Sequence, residues 1–80
     1  MIPLYGFLEG DTIGLVVLAD ENDTAAVLID KLQTSAQVRV KPRKSLRLLH
    51  NGQMLDGQIT VVQARMDALD RIDVVEVAGR

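Results

Sequence analysis

Between residues 24 and 36, Ala25, Leu28, Ile29, Leu32 and Ala36 recur at helical spacing, with Asp30, Lys31 and Gln33 on the opposite side. This is an amphipathic helix with one apolar face to bury, and what surrounds it in the chain reads as strand. Residues 2–8 and 12–19 are short apolar strands separated by the turn Glu9-Gly10-Asp11, whose glycine and aspartate suit a reversal. Asp20-Glu21-Asn22-Asp23 ends the second apolar run, and Asp23 or Thr24 is placed to cap the helix by accepting from an orphan amide.

Beyond the helix, residues 38–45 form a polar connection carrying Pro42, which has no N–H to give to a ladder. Residues 46–50 resume as a strand. Asn51-Gly52 is a strong tight-turn signal because both residues tolerate positive φ, and 53–55 is the short return strand. Thr60 is expected to cap a brief turn of helix through Gln63, and 71–77 is the last strand. A helix that follows an opening hairpin serves to cover one face of a mixed sheet. The expected architecture is therefore α+β, a β-grasp: a mixed sheet of four to five strands with one main helix packed across one face.

Eighty residues make one small domain, expected over 1–80, burying about 60% of its unfolded surface. With 48% hydrophobic and 25% charged residues, the chain lies outside the regime of disordered sequences. Tyr5 and Phe7 are the only aromatics, so Leu, Ile, Val and Met must build the core, and stacking platforms for single strands or sugars are lacking. The chain has no cysteine, which excludes a disulfide framework, a thiolate nucleophile and a zinc knuckle. MIPLYGFLEGD has no basic n-region and is interrupted by Pro3 and Gly6, unlike a signal peptide or a membrane span. A cytoplasmic protein is expected, and its net charge of -2 does not suggest wholesale attraction to nucleic acid or an anionic membrane.

Enzymatic constellations are scarce. A di-iron carboxylate site needs Glu-x-x-His pairs on two helices, and no such pair is present. His50, the single histidine, has no evident partner, and neither Ser35 nor Ser45 has an evident base. His50 therefore reads as a structural or surface residue at a strand end. Asp20-Glu21-Asn22-Asp23-Thr24 superficially suggests a calcium loop, but the sixth and twelfth positions, Ala25 and Lys31, are not the required Gly and Glu. A helix-capping acidic turn fits better. No catalytic, metal or cofactor residue is expected. Arg39, Lys41, Arg43, Lys44 and Arg47 concentrate basic charge, while the first thirty residues contain acidic groups and no Lys or Arg. Two readings stand for the basic run: a solvated loop, or a docking surface for an acidic patch on a partner.

Arg47-Leu48-Leu49, Gly52, Leu55, Thr60 and Ile72-Asp73-Val74-Val75 fall in one ungapped register that resembles ubiquitin. A second likeness spans almost the whole chain. IPLYGFLEGD, LVVLADENDT, the Val-x-Val-x-Pro-Arg stretch at 38–43 and the segment Asp70-Arg71-Ile72-Asp73-Val74-Val75 are similar to the small ubiquitin-like subunit of multicomponent toluene monooxygenases. LLHNGQMLDG is nearer to ubiquitin than to the usual members of that family. The resemblance implies a non-catalytic subunit that binds a large hydroxylase chain carrying a di-iron centre. A free-standing ubiquitin-like interaction module is the alternative. Conjugation is not expected, because Val77-Ala78-Gly79-Arg80 does not complete a Gly-Gly pair in the ubiquitin register.

The same register directs Leu15, Val17, Leu48, Ile72 and Val74 toward the helix, so by the period of two Val16, Leu18, Leu49, Val75 and Val77 point away from it. A sheet face left in water normally alternates to polar. This one stays aliphatic, which is read as a surface for another protein chain, against the alternative of the scattered exposed aliphatics ordinary in a small domain.

Overall fold

The computed structural model describes residues 1–11, 13–38 and 45–77. Its elements follow in the expected order: β1 (Ile2–Leu8), β2 (Gly14–Ala19), α1 (Ala25–Ala36), β3 (Leu46–His50), β4 (Gln53–Leu55) and β5 (Arg71–Glu76). Together the strands make a five-stranded mixed sheet in the order β2-β1-β5-β3-β4. β1 runs antiparallel to β2 and parallel to β5, and β3 is antiparallel to both β5 and β4. With α1 lying across one face, this is the expected β-grasp. Among the described residues no helix is long and apolar enough to cross a membrane.

Two strand boundaries differ from the reading of the sequence. β2 begins at Gly14 rather than residue 12, and Thr12 itself lies outside the described residues. β5 stops at Glu76, one residue short, where the Val77 amide donates to the Ser45 carbonyl at 3.0 Å beside the start of β3. Asn51 and Gly52 both have positive φ, 53° and 77°, the twist that a two-residue hairpin between β3 and β4 demands.

Between the two capping candidates, Thr24 performs the role: its Oγ1 accepts from the Val27 amide at 3.3 Å. Two further orphan amides of the first turn, Ala25 and Ala26, donate to the carbonyls of Ile59 and Gly57. Thus the helix start is fastened to the segment between β4 and β5. That segment is closed by a reciprocal pair, Thr60 N–H to Gln63 Oε1 at 2.9 Å and Gln63 N–H to Thr60 Oγ1 at 3.2 Å. Residues 61–65 form hydrogen-bonded turns there rather than the expected turn of helix.

Leu4, Leu28, Leu32, Leu48, Ile72 and Val74 are the largest fully buried side chains, contributed by β1, α1, β3 and β5. Each fully buried aliphatic of this kind contributes about 1.5–3 kcal/mol. α1 approaches β1 so closely that a Cβ on Gly6 would lie 2.7 Å from Leu32 Cδ2. Gly6 is the one residue type that leaves the Leu32 side chain its place.

Leu32→Ala is expected to lower the unfolding free energy by about 2–5 kcal/mol in urea titrations, and Gly6→Ala to destabilise the wild-type background. In the Leu32→Ala background, Gly6→Ala should instead cost little or add stability, because the methyl then occupies vacated space. Additive losses would show that the two residues do not compete for one volume.

Candidate protein-binding surface

Strand pairing decides which residues share the sheet face opposite α1. Cross-strand partners point to the same side, and successive residues alternate. The outer face therefore carries Pro3, Tyr5 and Phe7 of β1, Val16 and Leu18 of β2, Arg71, Asp73 and Val75 of β5, Arg47 and Leu49 of β3, and Met54 of β4. Their neighbours Val17, Leu48, Ile72 and Val74 are buried beneath the helix, as expected, and Leu15 packs half-buried against the same core.

The outer face is not the continuous aliphatic patch expected from the sequence. Because β1 lies between β2 and β5, Val16 and Leu18 are separated from Val75 and, one strand further on, from Leu49. What fills the gap is polar and aromatic. The Arg71 guanidinium lies 4.1 Å from the Phe7 ring centroid and meets Asp73, with Nη2 3.0 Å from Oδ1 and Nε 3.1 Å from Oδ2. Asp73 holds the Arg71 pKa above its ordinary value through that hydrogen bond and its charge. Phe7 in turn packs edge-on against Tyr5, centroids 5.2 Å apart.

Two apolar clusters result. One comprises Leu49, Val75 and Met54, with the exposed Arg47 facing Val75 across the β3–β5 ladder. Leu49 and Val75 are half-buried, whereas Met54 is exposed and was not singled out in the sequence. Its signal was available, since the tight Asn-Gly hairpin pairs residue 54 with 49. The other cluster, Val16 and Leu18, is 60% and 56% exposed and sits on the terminal strand. Val77 is half-buried beyond the end of β5. Among the basic candidates Arg47 alone can be located; Arg39, Lys41, Arg43 and Lys44 lie outside the described residues.

His50 corrects the expectation of a partnerless residue. It is buried, and its Nε2 lies 2.9 Å from Asp70 Oδ2. Asp70 also accepts from the Asp67 amide at 2.9 Å, and these two contacts, the amide first, hold its carboxyl below the ordinary 3.8. An ionised carboxylate only accepts, so Nε2 carries the proton in this bond. The backbone of the same loop is tied to β1, through the Tyr5 amide to the Asp70 carbonyl and the Leu69 amide to the Pro3 carbonyl. The His50–Asp70 contact therefore joins the end of β3 to the approach to β5. The β3–β5 register explains why: His50 pairs with Ile72, two residues beyond Asp70.

The acidic turn before α1 is occupied with its own backbone. Asp20 Oδ1 accepts from the Asn22 amide at 3.0 Å, and Asp23 Oδ2 accepts from the Asp20 amide at 2.9 Å and from Lys31 Nζ at 2.7 Å. The Lys31 hydrogen bond is the main reason that the Asp23 carboxyl is held below its usual range. These carboxylates serve as structural acceptors. Among the described residues no group of three or more His, Cys, Asp or Glu side chains is arranged to hold a metal ion.

Both depressed carboxylates have the same consequence for pH. A folded pKa below the unfolded value gives stability that is complete above the unfolded value and disappears as pH falls through the folded one. The urea midpoint of Asp70→Asn is therefore expected to lie below wild type at pH 7, with the difference shrinking as the pH drops below about 4. A constant difference down to pH 2 would mean that the ionised carboxylate contributes nothing.

Comparisons with known proteins agree with this architecture. Residues 1–75 match the family described as toluene-4-monooxygenase system protein B (TmoB). A chain of the toluene 4-monooxygenase HD complex with the inhibitor 4-bromobenzoate superposes with a TM-score of 0.87 at 22% identity, covering 95% of this chain and 98% of that one. The ubiquitin of Caldiarchaeum subterraneum gives a TM-score of 0.79 at 15% identity, covering 98% of this chain and 95% of that one. A structure described as molecular mimicry of SUMO in DNA repair gives 0.75 at 23% identity, covering 92% and 89%. At these identities the solved structures establish the ubiquitin-like fold. The search of curated proteins gave no match.

Proposed function

Because the chain belongs to the toluene-4-monooxygenase system protein B family, we propose that it serves as the small, non-catalytic subunit of a bacterial hydroxylase acting on toluene or a related aromatic compound. It works in the cytoplasm as a single ubiquitin-like domain over 1–80, bound to a much larger chain that holds the di-iron centre. Oxidation belongs to that larger chain; this one contributes assembly and stability. The family match over 1–75 carries the reading, and the Leu49, Val75 and Met54 cluster supplies a physical means.

Leu49 and Val75 are the central anchors, with Met54 and Val77 beside them, since covering these aliphatic side chains removes apolar surface from water. Arg47, together with Arg39, Lys41, Arg43 and Lys44, orients the chain against an acidic patch, which affects association rate more than final affinity. Val16 and Leu18 belong to a separate contact.

Co-expression with the hydroxylase chains of the same system, followed by size-exclusion chromatography and iron analysis, tests the proposal. The chain is expected to co-elute with iron. Leu49→Asp and Val75→Asp should each weaken association by about 30-fold or more, with circular dichroism confirming the fold. A wild-type chain eluting alone, or variants that co-elute undiminished, would contradict it.

A further inference from the structure

β2 ends the sheet, and its alternating backbone leaves one set of groups facing outward. Leu4 and Gly6 face Val17 and Leu15 in the β1–β2 ladder, while the Tyr5 amide is turned to the other side, toward the Asp70 carbonyl. It follows that the N–H and C=O groups of Val16 and Leu18 point to the free edge. Among the described residues only the Leu18 carbonyl is engaged there, accepting from Lys31 Nζ at 2.8 Å. Between this edge and α1 runs a groove of about 490 Å³, walled by Val16 and Leu18 on one side and by Val27, Asp30 and Thr34 on the other. Val27 is itself 39% exposed.

The charge around the groove selects its occupant. Lys31, the one cation lining it among the described residues, is paired with Asp23. Asp30 stands exposed in the wall, and Asp20 and Glu21 are exposed beyond the end of β2. A second copy of this chain pairing edge to edge would bring the same acidic walls together. A segment with apolar residues at alternate positions and Lys or Arg beside them meets both the edge and the field.

We propose that the β2 edge and the α1 groove bind an extended, basic and apolar segment of the large hydroxylase chain, which adds to the sheet as a sixth strand through Val16 and Leu18. This rests on the chain being the hydroxylase's small subunit. It adds a backbone-mediated contact distinct from the Leu49–Val75 cluster. Lys31 leaves the Val16 N–H and C=O and the Leu18 N–H available, enough to set the register of an incoming strand.

Amide hydrogen exchange on the free chain and on the co-purified hydroxylase assembly provides the test. The Val16 and Leu18 amides should exchange rapidly in the free chain and at least about tenfold more slowly in the assembly. Val16→Pro removes an edge donor that makes no bond to β1, so the isolated chain should retain its fold while association weakens about tenfold or more. Asp30→Lys should slow association and flatten its salt dependence. Assembly with the two amides still exchanging rapidly would overturn the edge contact alone, as would their protection in a concentration-dependent dimer of the free chain. Failure of the wild-type chain to associate would remove both this contact and the subunit reading.

Discussion

The close seating of α1 on β1, with Leu32 occupying the space that Gly6 leaves open, fixes the rest of the arrangement. The helix covers one sheet face and brings Leu28 and Leu32 into one buried cluster with Leu4, Leu48, Ile72 and Val74. With one helix in the described chain, the opposite face receives no comparable cover. The same seating sets the distance between α1 and β2, and so forms the groove along the sheet edge. Both proposed contacts are consequences of a single packing decision.

Much of this was legible in the sequence. The 3.6-residue period located α1, Asn51-Gly52 marked a hairpin that both positive φ values realise, and Thr24 was a cap candidate for ordinary chemical reasons. The ubiquitin-like register directed Val17, Leu48, Ile72 and Val74 toward the helix, and all four are buried. The strand ends were less legible because they depend on where cross-strand partners stop: β5 ends at Glu76 opposite Leu46, with the Val77 amide still donating to the Ser45 carbonyl.

Spatial order was the greater obstacle to reading the site. Alternation shows which way Val16 and Val75 point, but not that β1 lies between their strands. That intervening position puts Phe7 beside Arg71 and Asp73, dividing the outer face into two clusters. The partner of His50 was hidden for a related reason. Its carboxylate partner is twenty residues away in the chain and becomes adjacent only through the β3–β5 register and the Asp67–Asp70 turn. A search for a nearby partner in sequence has no access to either.

The Arg71, Asp73 and Phe7 arrangement is therefore more than an interruption of an apolar surface. Its guanidinium spans the β5–β1 pair while its charge is already matched by Asp73, so a partner covering the Leu49 side need not provide an acid at this point. Extending one apolar interface across the whole face would require desolvating that ion pair, at a cost only well-aligned partners offset. Separate contacts at the two margins leave it hydrated. One margin offers side chains, Leu49, Val75 and Met54, while the other offers the outward backbone groups of Val16 and the Leu18 amide, the Leu18 carbonyl being held by Lys31. The division thus favours a larger chain that grips the sheet at both sides over one flat surface laid across it.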